Sequence, residues 1–274
     1  MAQRAAAPRN PATPQPRNLV LNEFIIIAAA FVAGVINSIA GGGTLISFPA
    51  LVWIGTPWVT ANVTNTVAVW PGSFAGVIGF WRDIAKIQRW LFWLVIPSFV
   101  GGALGAYVLL HTSNRTFAQI VPFLILIATL LLAAQEFLTR RFTVLAQSHQ
   151  NPTRGWVTFV FVFQFLVSVY GGYFGAGMGI LMLAALGLIG MADLHQMNGL
   201  KNLLAICING VAAIYFALRG AIVWHHAIMM AVASIIGGFA GARMAHRFGR
   251  KFVRGTVVTI GVVMSIALFV RSSS

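Results

Sequence analysis

Two short stretches of this sequence set glycine runs inside apolar surroundings. The first is Ser38-Ile39-Ala40-Gly41-Gly42-Gly43-Thr44; the second runs from Gly171 to Gly179 and includes Gly172, Gly175 and Gly177. Glycines let backbone N–H groups come close to a ligand, and a helix that starts just after them presents its positive end there. That chemistry favours an anion. Either stretch alone is equally explained by a close helix crossing or a kink. Polar side chains follow both: Asn62, Thr64, Asn65 and Thr66 after the first, Asn198, Lys201 and Asn202 after the second. Positions 62, 65, 66 and 198, 201, 202 have i, i+3, i+4 spacing, so each set faces one way on a helix.

A lysine at the centre of an apolar segment costs about 2.5–3.5 kcal/mol on insertion scales, which points to a partner or a function. The alternative for Lys201 is snorkelling to an interface from a helix end. No acidic residue falls in the Lys201 segment, so an anionic substrate is its expected partner. The candidate substrate-binding residues are Gly41, Gly42, Gly43, Thr44, Asn62, Asn65, Gly175, Gly177, Gly179, Asn198, Lys201 and Asn202. They are expected to meet in one polar site between two halves of the chain.

The elements that must position these residues are membrane helices. Of 274 residues, 59% are hydrophobic and 8% charged, and no charged side chain occurs from Phe24 through Trp81. One bilayer crossing needs only about 20 apolar residues. Ten apolar segments are predicted: 21–40, 44–55, 61–81, 90–110 and 116–137, then 156–174, 178–190, 198–218, 222–243 and 254–270. The second of each five is too short to span, because twelve helical residues cover about 18 Å of a roughly 30 Å hydrocarbon core. Broken segments survive at membrane depth only where protein or a watery cavity satisfies their backbone.

Sliding the chain against itself by 136 residues pairs Gly41 with Gly177, Gly43 with Gly179 and Asn62 with Asn198. It also pairs Asn65 with Lys201, and Gly101, Gly102, Gly105 and Ala106 with Gly237, Gly238, Gly241 and Ala242. One offset held over so many positions indicates a tandem duplication. Loop charge adds direction. The basic loop Arg82, Lys86, Arg89 answers to one holding only Arg219, whereas the loop of Arg115 answers to Arg247, Arg250, Lys251 and Arg254. With five crossings per half, the positive-inside rule puts 82–89, 140–154 and 243–254 on one cytoplasmic side and both termini outside. The N-terminal arginines and Arg271 run against that orientation.

The expected fold is therefore an all-α integral membrane protein of two tandem, inverted repeats with short broken helices after glycine-rich loops. Its predicted parts are a disordered tail 1–18, a first repeat 19–138, a basic linker 139–155, a second repeat 156–270 and a C-terminal tail 271–274. Substrate sites in such architectures lie at interrupted helices near the midplane.

The net charge of +14 does not indicate nucleic-acid binding, because the basic residues sit in short loops between apolar segments. Cys207 is the sole cysteine, which excludes an intramolecular disulfide and a cysteine metal cluster. An enzyme is not expected: four acidic residues and no HExxH motif leave no visible nucleophile–base pair or metal set, and no cofactor is predicted. Asp193, His195, Glu136, His225 and His226 are expected at interfaces or loops.

The run Asn37 to Thr44, with Pro49, Gly55, Pro57, Ala61-Asn62-Val63-Thr64-Asn65 and Pro71-Gly72, resembles the TauE/SafE sulfite exporter family. Gly175-Ala176-Gly177-Met178-Gly179 and Asn198-Gly199-Leu200-Lys201-Asn202 resemble that family's second signature. The resemblance implies a multi-pass permease of the bacterial inner membrane for sulfur-containing anions such as sulfite or sulfonates. A channel or a non-transporting assembly protein is the alternative. The expected partners are a small inorganic or organic sulfur oxyanion, the lipid bilayer, protons as coupling ion, and further copies of the chain.

Overall fold

The computed structural model describes residues 16–39, 42–87, 89–147, 154–188, 191, 193–244 and 250–273, and every regular element among them is helical. Lipid offers the backbone no hydrogen bonds, so a helix that satisfies its own N–H and C=O groups is the economical solution for these apolar stretches. The helices are α1 (Pro16–Ile39), α2 (Thr44–Trp53), α3 (Trp58–Gly79), α4 (Trp81–Ile84), α5 (Val95–His111), α6 (Asn114–Gln147), α7 (Arg154–Tyr173), α8 (Met178–Leu188), α9 (Leu194–Leu218), α10 (Trp224–Met244) and α11 (Arg250–Ser273). A 3₁₀ turn, Arg89–Leu94, precedes α5.

Six of the helices contain stretches long and apolar enough to cross a membrane: 20–38, 92–111, 114–134, 154–173, 195–218 and 224–241. The two broken segments are short helices of 10 and 11 residues, α2 and α8. The chain is an all-α membrane protein. The 22-residue α3 is long enough by geometry, about 33 Å, but Asn62, Thr64, Asn65 and Thr66 dilute its apolar character. Those four side chains are buried. In α11 the apolar stretch is Gly255–Val270.

Several boundaries differ from expectation. Helix α6 continues through Arg140 and Arg141 to Gln147, so the start of the expected linker is helix. Its 34 residues reach about 51 Å, well beyond the roughly 30 Å thickness of the hydrocarbon core. Helix α1 begins at Pro16 and α11 runs to Ser273. The rest of the expected N-terminal tail, Gly41 of the first glycine run, residues 148–153 of the linker and Arg247 lie outside the described residues.

Packing interleaves the two halves. Helix α1 packs most extensively on α10, and α5 on α7. Both seams depend on glycine: a Cβ at Gly237 or Gly241 would run into the backbone of Phe31 or Val35, and one at Gly101 or Gly105 into that of Phe165 or Val169. Residue order along each seam rises together, so α1 runs parallel to α10 and α5 to α7. At the start of the first seam His225 Nε2 lies 2.9 Å from Glu23 Oε1.

Helices that correspond at the 136-residue offset instead run antiparallel. In α3 and α9, Trp70 meets Ile206 while Phe80 meets His195 and Gly199. In α6 and α11, Ser265 Oγ donates to the Pro122 carbonyl at 2.9 Å, and Thr129 lies against Gly261. The Val59 N–H donates to Asn114 Oδ1 at 2.9 Å and the Val223 N–H to Thr64 Oγ1 at 3.2 Å, which gathers the starts of α3, α6 and α10 at one end of the bundle. Exposed Arg82 and Lys86 therefore share the opposite, basic end with Arg140, Arg141 and the start of α11 at Arg250.

Large apolar side chains such as Phe24, Ile78, Leu218 and Val263 cover the exterior. In water such a surface would aggregate; in lipid it is the matching solvent contact. The interior holds an aromatic knot in which Phe48 of α2 meets Trp58, Phe117 and Phe174, the last at 5.6 Å between ring centroids.

Candidate functional site

The first glycine loop turns from α1 into α2. Gly42 has φ +95, a backbone region open to glycine at little cost, and it faces Leu132 of α6 and Val257 of α11. Gly43 lies so close to the Ala33 carbonyl that no side chain would fit. Its N–H donates to Asn37 Oδ1 at 2.7 Å, and Ser47 Oγ donates to its carbonyl at 3.3 Å. Half-buried Thr44 opens α2.

The second loop turns from α7 into α8. Gly175 and Gly177 have φ +76 and +74, and a Cβ at Gly177 would press on Ala128 of α6 at 3.1 Å. Tyr170 Oη donates to the Ala176 carbonyl at 2.5 Å, while the N–H groups of Met178 and Ile180 donate to the Gly175 and Gly177 carbonyls. These glycines thus serve turns and close packing, and part of the expected N–H supply is spent inside the loops. What the loops do achieve is to start two half-helices in the protein interior.

Polar side chains gather beside them. Lys201 is only 9% exposed; its Nζ donates to Asn198 Oδ1 at 3.2 Å, and its stem lies over Gly179 in the first turn of α8, 3.3 Å from where a Cβ would stand. The structure therefore brings Gly179, Asn198 and Lys201 together. Asn202, one turn along from Asn198, is half-buried. On the other side, Asn62 Nδ2 donates to the Tyr173 carbonyl at 2.9 Å, which ties α3 to the end of α7 beside Gly175. Asn65 is 1% exposed.

Helix directions decide how these two groups relate. The crossing of α3 and α9 lies at Trp70, whose Nε1 donates to the Ile206 carbonyl at 3.2 Å. Asn65 precedes Trp70 by five residues and Lys201 precedes Ile206 by five. Because the helices are antiparallel, the two side chains sit on opposite sides of the crossing, about 15 Å apart along the helix axes. Asn62 and Asn65 lie toward the ends marked by Val59 and Asn114; Asn198 and Lys201 lie toward the basic end.

Other expected residues have local tasks. Asp193 caps α9, accepting from the His195 N–H at 2.8 Å and the Gln196 N–H at 3.4 Å. His195 rests against Phe80. Among the described residues no three histidine, cysteine or carboxylate side chains converge as metal ligands would.

Three contacts escape the sequence reading, in which Asn37 figures only within the family resemblance. Asn37 holds the first loop and Tyr170 the second. Fully buried Gln164 of α7 donates to Ser98 Oγ of α5 at 2.9 Å and to Ser168 Oγ at 3.3 Å. An amide in the middle of a charge-free segment was the available signal for Gln164; nothing in the pattern singles out Tyr170.

The chain matches known proteins along most of its length. It is 31% identical to the "Probable membrane transporter protein" of Haemophilus influenzae over 249 residues, covering 88% of this chain and 92% of that one. It is 27% identical to the "Probable membrane transporter protein YfcA" of Escherichia coli over 248 residues, 90% of each chain. The "Probable membrane transporter protein ORF9" of a Sinorhizobium species is also 27% identical, over 89% of this chain and 90% of that protein. The family described as Sulfite exporter TauE/SafE matches residues 26–268. With a match of that extent on an all-helical, multi-spanning fold, the chain belongs to the TauE/SafE sulfite exporter family of membrane transporters.

Proposed function

We propose that this protein is a secondary transporter of a small sulfur-containing oxyanion, such as sulfite or an organosulfonate, working by alternating access between two inverted repeats. The observation that carries the reading is the buried Lys201, placed with Asn198 over the first turn of the half-helix α8. A cation and an amide beside an interior helix start form a natural cradle for an oxyanion. The antiparallel relation of α3 to α9 and of α6 to α11 supports the inverted-repeat reading, because a pseudo-two-fold axis lying in the membrane plane reverses every helix it relates. Inverted halves can exchange conformations about a central crossing, which is a route to alternating access.

The remaining proposed substrate residues are those of the two loops and polar faces named above, with Gly41 included from the sequence alone. Proton coupling belongs to the same proposal, as does self-association. Proteoliposomes containing the purified protein and preloaded with sulfite provide the test. Saturable uptake of labelled sulfite with counterflow is expected, and it should fall at least tenfold in Lys201→Met. Flux without counterflow would identify a channel, and no flux of sulfite or sulfonates would favour an assembly role.

A further inference from the structure

Asn62 and Asn65 carry a feature that the lysine group does not explain. Both are 1% exposed, and three of their four amide atoms, Asn62 Oδ1, Asn65 Oδ1 and Asn65 Nδ2, are buried with no hydrogen-bond partner. A buried polar group left unpaired costs about 1–3 kcal/mol, so a protein keeps such groups where something else fills the need. The free Asn65 amide offers two N–H donors, and the two carbonyl oxygens offer acceptors. That set fits an oxyanion that retains a hydroxyl proton or part of its water shell. It carries no charge of its own.

Its position matters equally. At the 136-residue offset Asn62 corresponds to Asn198 and Asn65 to Lys201, yet the antiparallel crossing at Trp70 and Ile206 holds the two pairs about 15 Å apart along the helices. Each pair also has its own backbone neighbour: Asn62 touches the Tyr173 carbonyl before the second glycine loop, and Lys201 covers Gly179 after it. One small oxyanion cannot span that distance.

We propose that Asn62 and Asn65 form a second, uncharged station for the transported oxyanion, across the Trp70–Ile206 crossing from the Lys201 station. This rests on the transporter reading above. The substrate passes between an amide station that holds it weakly and a lysine station that holds it more tightly, so the path is graded although the backbone halves correspond.

Selenite, a heavier mimic of sulfite, distinguishes the outcomes by anomalous diffraction from crystals of the full chain. Two selenium peaks are expected, one beside Asn65 and one beside Lys201. A peak beside Lys201 alone would overturn the second station while leaving the transporter reading intact; a single peak bridging both groups would do the same. No peak at either group would overturn both readings. In solution, sulfite-dependent thermal stabilisation gives an independent check. Lys201→Met should raise the half-saturating sulfite concentration at least tenfold yet leave saturable binding, which Asn65→Leu in the same chain should remove. If Asn65→Leu alone abolishes the tight binding, the residues form one site and the proposal fails. Should Asn65→Leu not fold, the wild-type selenite positions still decide.

Discussion

The indole N–H of Trp70 donates to the carbonyl of Ile206, and these two residues are separated by the same 136 positions that relate the halves of the sequence. In a pair of inverted repeats, corresponding residues meet only at the pseudo-symmetry axis. Under the inverted-repeat reading proposed above, Trp70 and Ile206 lie at that axis. The Trp70 ring also lies against Gly210, 3.1 Å from where a Cβ would stand. Trp70→Phe keeps the aromatic volume and removes the donor. Interhelical hydrogen bonds in membranes contribute about 0.6–2 kcal/mol, so a measurable drop in melting temperature in detergent is expected. Unchanged stability would show that the ring, and not its N–H, holds the crossing.

Topology gives a second expectation. Helix directions put Lys86 and Arg250 at one end of the bundle. Single cysteines at these positions, in a Cys207→Ala background, should both resist an impermeant thiol reagent applied outside intact cells. Labelling of one with protection of the other is incompatible with the fold described.

The glycines should separate by environment. Gly177 combines φ +74 with a Cβ position 3.1 Å from Ala128, and Gly42 has φ +95 beside Leu132. Gly177→Val and Gly42→Val should abolish sulfite uptake while membrane levels remain appreciable. Gly55 also has φ +95 but nothing within 4 Å, so Gly55→Ala should cost only the left-handed backbone penalty of about 1–2 kcal/mol and retain uptake. Equal loss in all three would make backbone conformation, not interior packing, the deciding factor.

For Lys201, the direction of the effect depends on shape as well as charge. Lys201→Met should weaken sulfite binding at least tenfold, equivalent to about 1.4 kcal/mol or more. Lys201→Arg should recover only part, because a planar guanidinium does not replace a compact ammonium in a space shaped by Gly179. Binding isotherms of the two variants superimposable on wild type would return Lys201 to the role of a snorkelling side chain.

Gln164 tests a polar contact away from these groups. Its Nε2 serves Ser98 and Ser168 while its Oε1 is buried without a partner. Gln164→Leu gives up two hydrogen bonds and also removes an unsatisfied acceptor, so a change of less than about 1 kcal/mol is expected. Gln164→Glu places a carboxyl group in the same pocket and should lower the yield of folded protein, as read by size-exclusion chromatography.

Much of this architecture can be read from the residues, and the exceptions have physical causes. The shortness of α2 and α8 follows from the distance between a glycine run and the next turn signal, and the 3.6-residue period put Asn62 with Asn65 and Asn198 with Lys201. Periodicity reports direction around a helix, however, and not depth relative to an antiparallel neighbour. Helical spacing therefore groups Asn62 with Asn65 and Asn198 with Lys201, but does not give the distance between the two groups. Helix α6 ran past its expected end because arginines mark where lipid stops, whereas a helix can continue into water. The glycine seams are visible in the sequence, but a seam does not name its partner: only the fold assigns Gly237 and Gly241 to Phe31 and Val35.

The α1–α10 seam also bears on how the protein is made. Helix α1 is finished at Ile39, while its principal partner begins at Trp224, near the end of the chain. At about 5–20 residues per second, roughly 10–40 seconds of translation separate the two. Throughout that interval the newborn first helix must wait in the bilayer with its docking face covered by lipid or by another protein. A chain interrupted before Trp224 would leave the Phe31 and Val35 face of α1 without the glycines Gly237 and Gly241 that fit it.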